Sequence, residues 1–357
     1  MYPPSTLRVI GDTHTGASAL TVGASPVTYA LPLMVLPAPP DEVSALFFIV
    51  MWNSYYISGY YYFEGGSEAV ADALAEVIKE HGGTIRLNTL ATTIDIEKGR
   101  ATQVHTLNDV CYRTRYIVAN NNAPDLFSTM IGKEHLPPEY VAELQNLKIG
   151  LSAFQIYLGV NRDFSEYFGN VHEITVAESW DQERNFHYIT KGVPEKAGMG
   201  IINYSMIDPT TAPPGKNVIV ITSILPYDWE SSWYLNSGYT SYQQFKEDVA
   251  RKYIERAEEY LPGLSNSIEV MEVGTPYSMK GFTLNPKGSI FGWSNIPEQS
   301  MMGRLKQETP IPNLYLAGAW TFPGGGQSAV IQSGVMAADL ILKEEKQRIV
   351  NPMKNSQ

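Results

Sequence analysis

Two neighbouring stretches near the end of the chain hold the residues best suited to chemistry. Gly318 to Gly326 is dense in glycine, and Gln327, Ser328 and Ala329 follow directly. The run Asn313 to Ala317 (NLYLA) reads as a short buried strand, and a helix from about Gln327 to Lys343 is predicted after the loop. Glycine lets backbone approach a flat or charged ligand closely. The first turn of a helix offers unpaired N–H groups and partial positive charge, which suit an anion. Ser333, Gly334, Ala337 and Ala338 would keep one face of this helix thin enough for close packing. On physics alone, a tightly packed strand–loop–helix accounts for the string as well as a binding site does.

Other candidate chemistry is weaker. Gly326-Gln327-Ser328-Ala329-Val330 begins like G-x-S-x-G but lacks the last glycine. A loop of about nine residues also separates strand from serine, where a nucleophile elbow needs a sharp turn. A serine hydrolase at Ser328 is therefore a remote alternative. His14, His81, His105, His135, His172 and His187 show no metal spacing such as H-E-x-x-H and read as surface or loop residues. Cys111 is the only cysteine, so neither an intramolecular disulfide nor a thiolate metal cage can form. No catalytic acid or base stands out, and no metal is expected.

These residues must be carried by a sizeable fold. The 357 residues, 44% hydrophobic and 18% charged, suit one large unit or two domains with a real core. A net charge of −11 with scattered Lys and Arg argues against nucleic-acid binding, which needs grouped cations. The start of the chain lacks the basic-then-apolar pattern of a signal peptide, so a cytoplasmic protein is expected. The most apolar region, Tyr29 to Trp52, is broken by Pro32, Pro37, Pro39 and Pro40. Its uncharged run Val43 to Met51 falls well short of the ~20 residues of a spanning helix. It reads as a core or cavity-lining segment, with peripheral docking on a membrane left open.

Along the chain, Ser67 is placed as N-cap of a helix whose apolar residues are Ala69, Val70, Ala73, Leu74, Val77 and Ile78, stopped by Gly82-Gly83. Strands are predicted at Thr84 to Leu87, Thr92 to Ile96, Thr102 to Leu107 and Arg115 to Ala119. From Leu151 the pattern suggests an antiparallel sheet with strands Ser152 to Val160, Phe186 to Thr190, Gly200 to Met206 and Val218 to Leu225. A long helix, Ser241 to Leu261, carries the stripe Phe245, Val249, Tyr253, Ala257 and Tyr260. The fold class is α/β with an α+β mixture, divided as 1–59, 60–123, 124–311, 312–345 and a tail 346–357. Segments 60–123 and 312–345 form one discontinuous domain around an inserted substrate domain.

The string Asn313 to Leu342 resembles the C-terminal signature of FAD-dependent oxidoreductases of the phytoene desaturase, carotenoid isomerase and retinol saturase type. Supporting segments in the same order are YFEGGS at Tyr62, Thr89 to Ile94, RYIVANNNAP at Arg115, YLPGL at Tyr260, and Thr275-Pro276 through Thr309-Pro310-Ile311. The resemblance implies an incomplete Rossmann-like FAD domain. It implies that Gly318 and Ala319 lie near the pyrophosphate and ribityl chain, with Gly325 and Gly326 in the cradling loop. It implies that the N–H groups of Gln327, Ser328 and Ala329 face the flavin ring. Gly65, Gly66, Ala91 and Asn120 are carried over as further cofactor contacts, Ala91 through backbone toward the adenine.

The implied activity is hydride transfer or isomerisation on an apolar polyene or isoprenoid in an apolar tunnel. Tyr55, Tyr56, Trp293 and Trp320 are candidates for its wall, against the competing reading that they are ordinary core or surface aromatics. Full-length members open with a G-x-G-x-x-G unit for the ADP half of FAD. No such spacing occurs here. The expectation is an incomplete gene or a split enzyme whose partner chain carries G-x-G-x-x-G, so that this chain alone holds FAD weakly. The alternative is a non-catalytic, lipid-binding or partner-dependent half.

Overall fold

The computed structural model describes residues 7–10, 41–59, 61–179, 181–227 and 241–350. Among them the strands are β1 (Leu7–Ile10), β2 (Ala91–Glu97), β3 (Arg100–Thr106), β4 (Cys111–Arg113), β5 (Ile117–Ala119), β6 (Ser152–Val160), β7 (Glu173–Ala177), β8 (Met199–Asn203), β9 (Asn217–Leu225), β10 (Ile268–Gly274) and β11 (Leu314–Leu316). The chain divides into two compact units. The first holds Met1–Ile85, Leu151–Thr283 and Lys287–Ser289, the second Arg86–Gly150, Leu284–Pro286 and Ile290–Gln357.

The first unit is built on an antiparallel sheet ordered β1-β7-β8-β9-β6-β10. Its centre is β6 against β9, paired from Ser152↔Leu225 to Val160↔Asn217. Strand alternation puts Phe154, Ile156, Leu158 and Val160 on one face, all buried, opposite Ile221 and Ile219 of β9. The helix Tyr242–Glu258 covers this face with Phe245, Val249, Tyr253 and Ala257, and the Ser241 hydroxyl caps it by accepting the Gln244 N–H at 3.2 Å. Phe154 and Tyr253 stack with ring centroids 5.7 Å apart. Burial of each such large side chain is worth roughly 1.5–3 kcal/mol.

Several sequence expectations change here. Phe186 to Thr190 is not a strand but the end of the helix Gln182–Thr190, begun by the Asp181 carboxylate accepting the Arg184 N–H at 3.1 Å. Thr84 to Leu87 is irregular. The helix Gly66–Glu80 starts at Gly65 in the left-handed region, not at Ser67. None of its residues is buried, and Leu74, Val77 and Ile78 are about half exposed. The run Val43 to Met51 forms much of the helix Ala45–Ser58, and it is not a core segment: Leu46 and Ile49 are each 59% exposed. No helix among the described residues is long and apolar enough to cross a membrane.

The second unit contains the antiparallel sheet β2-β3-β4 and the parallel pair β5–β11, in register Leu314↔Ile117 to Leu316↔Ala119. Asn313 joins these two layers. Its buried amide accepts the Ala101 N–H at 3.0 Å and donates to the carbonyls of Ala101 (2.7 Å) and Arg115 (2.8 Å). The expected change of unit at Ala123 falls instead at Gly150–Leu151, because Ala123, Leu126 and Phe127 are buried in the second unit's core. Trp293, Leu305 and Ile311 belong to that core as well, so the chain returns to this unit before residue 312.

Candidate functional site

The sequence Leu314-Tyr315-Leu316 forms β11 because all three side chains are buried between neighbouring layers. The pairing with β5 continues through Ala317, whose N–H donates to Ala119 O at 2.9 Å. The chain then turns at Gly318, where φ is +90°. A Cβ there would lie 1.9 Å from Asn120 Oδ1, so only glycine fits against that amide. From the other side the Gly318 N–H donates to Ser333 Oγ at 2.7 Å, and this hydroxyl donates to Val330 O at 2.6 Å. Gly318 and Asn120, separately singled out in the sequence, are thus brought together. Ser333, which belongs to the helix Gln327–Val350, is the clamp that fixes the loop to that helix.

The loop is held from beneath by Arg304, which the sequence did not single out. Its guanidinium donates to Ala319 O (2.7 Å), Trp293 O (3.1 Å), Phe291 O (3.4 Å) and Asn295 Oδ1 (2.7 Å). Its Nε is buried without a hydrogen-bond partner, 2.7 Å from where a Cβ on Gly324 would sit. Burial pushes this cation down to about 10, still charged at neutral pH. A Cβ on Gly325 would meet Phe291 at 2.5 Å, so the loop lies flat against its support. The signal for Arg304 was absent because its value comes from carbonyls distant in sequence.

Above the loop the backbone is open. Gly326 has φ +110° and open space where a side chain would stand, and Gly326, Gln327 and Ser328 are exposed. The helix Gln327–Val350 buries Ser333 and Ala337, while Gly334 is half-buried and Ala338 exposed, so the thin packing face is narrower than expected. An exposed helix start next to side-chain-free backbone fits a flat ligand with an electron-rich edge.

The other predicted residues are placed differently. Trp293 and Trp320 are core residues packed edge to face at 4.8 Å, not an open wall. Both indole N–H groups are used internally, Trp293 Nε1 donating to Trp320 O at 3.1 Å and Trp320 Nε1 to Asn285 Oδ1 at 3.1 Å. The side chains of Tyr55 and Tyr56 lie outside the described residues. Gly65 and Gly66 belong to the first unit, where the Gly65 N–H engages Asp208 and helps hold its carboxyl below the usual range, after the larger effect of Thr210. Ala91 opens β2, is exposed, and pairs with Thr106. Ser328 has no hydrogen bond to a histidine among the described residues, which leaves the hydrolase alternative without a base.

A model of the family "flavin containing amine oxidoreductase" matches residues 33–342. Chloroplastic prolycopene isomerase of Arabidopsis thaliana is 28% identical over 312 residues, covering 85% of this chain and 49% of that protein. Phytoene desaturase (neurosporene-forming) of Rhodobacter capsulatus is 27% identical over 290 residues, covering 79% and 54%. The chain thus spans about half the length of these curated relatives. The crystal structure of an oxidoreductase from Methanosarcina mazei superposes with a TM-score of 0.58 at 18% identity, covering 92% of this chain and 68% of that one, a likeness of fold.

Proposed function

Because the chain belongs to the flavin-containing amine oxidoreductase family, we propose that it works as an FAD-dependent oxidoreductase on an apolar polyene or isoprenoid, by hydride transfer or double-bond isomerisation. The observation that carries this reading is the loop at Gly318, packed beside Asn120 and bonded to Ser333, running into an exposed helix start. The relatives named prolycopene isomerase and phytoene desaturase support the substrate class.

FAD, when bound, accepts or donates the hydride. The chain's own residues position and stabilise. Backbone N–H groups at Ser328 and Ala329 would present positive charge to the electron-rich ring edge, with Gln327 beside them. Gly318 and Ala319 would hold the phosphate and ribityl side through their backbone, with Asn120 packed against that turn. Ala91 would meet the adenine through its backbone. Arg304 places no group on the ligand; it keeps Ala319 and the glycines in shape.

The proposal extends to a second chain carrying G-x-G-x-x-G that completes the nucleotide site, and to docking of the apolar helix Ala45–Ser58 on a bilayer that holds the substrate. Its exposed Leu46, Ile49, Val50 and Ile57 support the latter. The test is co-expression with such a chain from the same source, followed by a visible spectrum and anaerobic addition of a polyene. A flavin peak that changes with the polyene is expected. A complex with no flavin, or with flavin indifferent to every polyene tried, rejects the oxidoreductase reading. Stoichiometric flavin on this chain alone rejects only the two-chain part. Flotation with liposomes checks the helix: Ile49→Glu should weaken lipid association, and an unchanged distribution removes that element.

A further inference from the structure

One chemical constellation lies outside the flavin site, on the sheet β2-β3-β4 of the second unit. Asp95 of β2, His105 of β3 and Cys111 of β4 stand on adjacent strands, and the register pairs Asp95 with Gln103 and His105 with Cys111. Side chains directly opposite one another in an antiparallel pair share a face. Cys111 Sγ lies 3.2 Å from His105 Nδ1, and His105 Nε2 lies 2.8 Å from Asp95 Oδ2. Gln103 donates its amide to the same Asp95 oxygen. Those bonds, Gln103 first and His105 next, hold the Asp95 carboxyl below its usual range.

The chemistry follows from the order of atoms. An ionised Asp95 can only accept, so His105 Nε2 carries the proton of that bond. The lone pair of Nδ1 is then aimed at the Cys111 thiol. Carboxylate and sulfur occupy opposite nitrogens of one ring, so the three groups form a relay and cannot converge on one metal; no metal-binding cluster of His, Cys, Asp or Glu occurs among the described residues. Cys111 is exposed and is the chain's only cysteine. Arg113 stands on the same face, opposite Gln103, and is exposed, placing a cation beside the approach path.

We propose that Cys111, His105 and Asp95 form a modification site at which the thiol reacts with a small anionic disulfide such as oxidised glutathione. His105 Nδ1 takes the thiol proton as Cys111 Sγ attacks one sulfur of the disulfide. A new Cys111 S–S bond forms, the disulfide's own S–S bond breaks, and the departing thiolate is protonated. Cys111 sulfur is oxidised and the departing sulfur reduced, with no other oxidant required. Without a second cysteine in the chain, the mixed disulfide persists until an external thiol reverses it. A thiol beside an oriented imidazole is the setting in which cysteine gains reactivity. The site does not depend on the flavin reading.

The experiment exposes the folded full chain to oxidised glutathione and follows the single adduct by intact-protein mass, which the lone cysteine makes unambiguous. The folded chain should react about tenfold faster than the same chain in urea at the same pH. His105→Gln should lose about tenfold in rate and Asp95→Asn about threefold, each with an unchanged circular dichroism spectrum. A folded chain that reacts no faster than the unfolded one overturns the proposal, and so does a folded His105→Gln variant reacting at the wild-type rate. Should the His105 variant fail to fold, the comparison of folded and unfolded wild-type chain decides alone.

Discussion

At Gly318 a hydrogen atom in place of a side chain has two consequences. Its left-handed φ and its contact with Asn120 act together. Gly318→Ala should therefore cost about 2–3 kcal/mol in denaturant unfolding, from backbone strain and overlap. Adding Asn120→Gly removes the overlap but not the strain, so the double variant should recover part of the loss; full recovery or none would show that one of the two causes is not at work. Arg304 is the companion case. Arg304→Met leaves the carbonyls of Ala319 and Trp293 without donors and should cost about 3 kcal/mol. A urea midpoint within error of wild type would show that the guanidinium does not support the loop. The glycines were legible in the sequence because their spacing is local. Arg304 was not, since an isolated arginine reads as surface until the fold wraps it in carbonyls.

At the scale of elements, local signals succeeded where packing and propensity agree. Ser152 to Val160 was read to the residue, because its alternation persists on a half-covered sheet. Phe186 to Thr190 failed because its aromatic and β-branched residues suggest a strand, while the deciding residue, Asp181, sits before them as a helix cap. The end of the helix Tyr242–Glu258 gives a test of its own. Burial tends to raise the Glu258 carboxyl, but hydrogen bonds from the Ser265 N–H and hydroxyl and the Gly263 N–H bring it below the usual range. A depressed folded value means stability that is present above the ordinary glutamate range and lost as pH falls through the folded one. Glu258→Gln should thus be less stable than wild type at neutral pH, with the gap closing as pH falls through and below the ordinary glutamate range. A gap that stays constant across that range would show that ionisation of Glu258 plays no part.

For the whole molecule, the mixed α/β class and its antiparallel sheet were readable, and so was the family. The divisions were not. The pattern changes at Leu151, but what assigns residues 124–150 to the second unit is the burial of Leu126 and Phe127 with residues such as Trp293 and Leu305 far along the chain. Exposed apolar residues on the helix Gly66–Glu80 could not be foreseen either, because a helical repeat of Leu74, Val77 and Ile78 looks the same whether or not the chain covers it.

The Asn313 clamp also sets a timetable. It links β3 to the strand that follows it across 212 residues, and closure of so long a stretch is entropically slow. The sheet of the first unit is complete once β10 has formed, whereas the second unit must still bring in β11. In pulsed hydrogen exchange during refolding, amides of β6 and β9 should gain protection before that of Ile117, which bonds to the Asn313 carbonyl; simultaneous protection would contradict this sequence of events. Until that carboxamide pairs with Ala101 and Arg115, the two layers that carry the Gly318 loop are not joined.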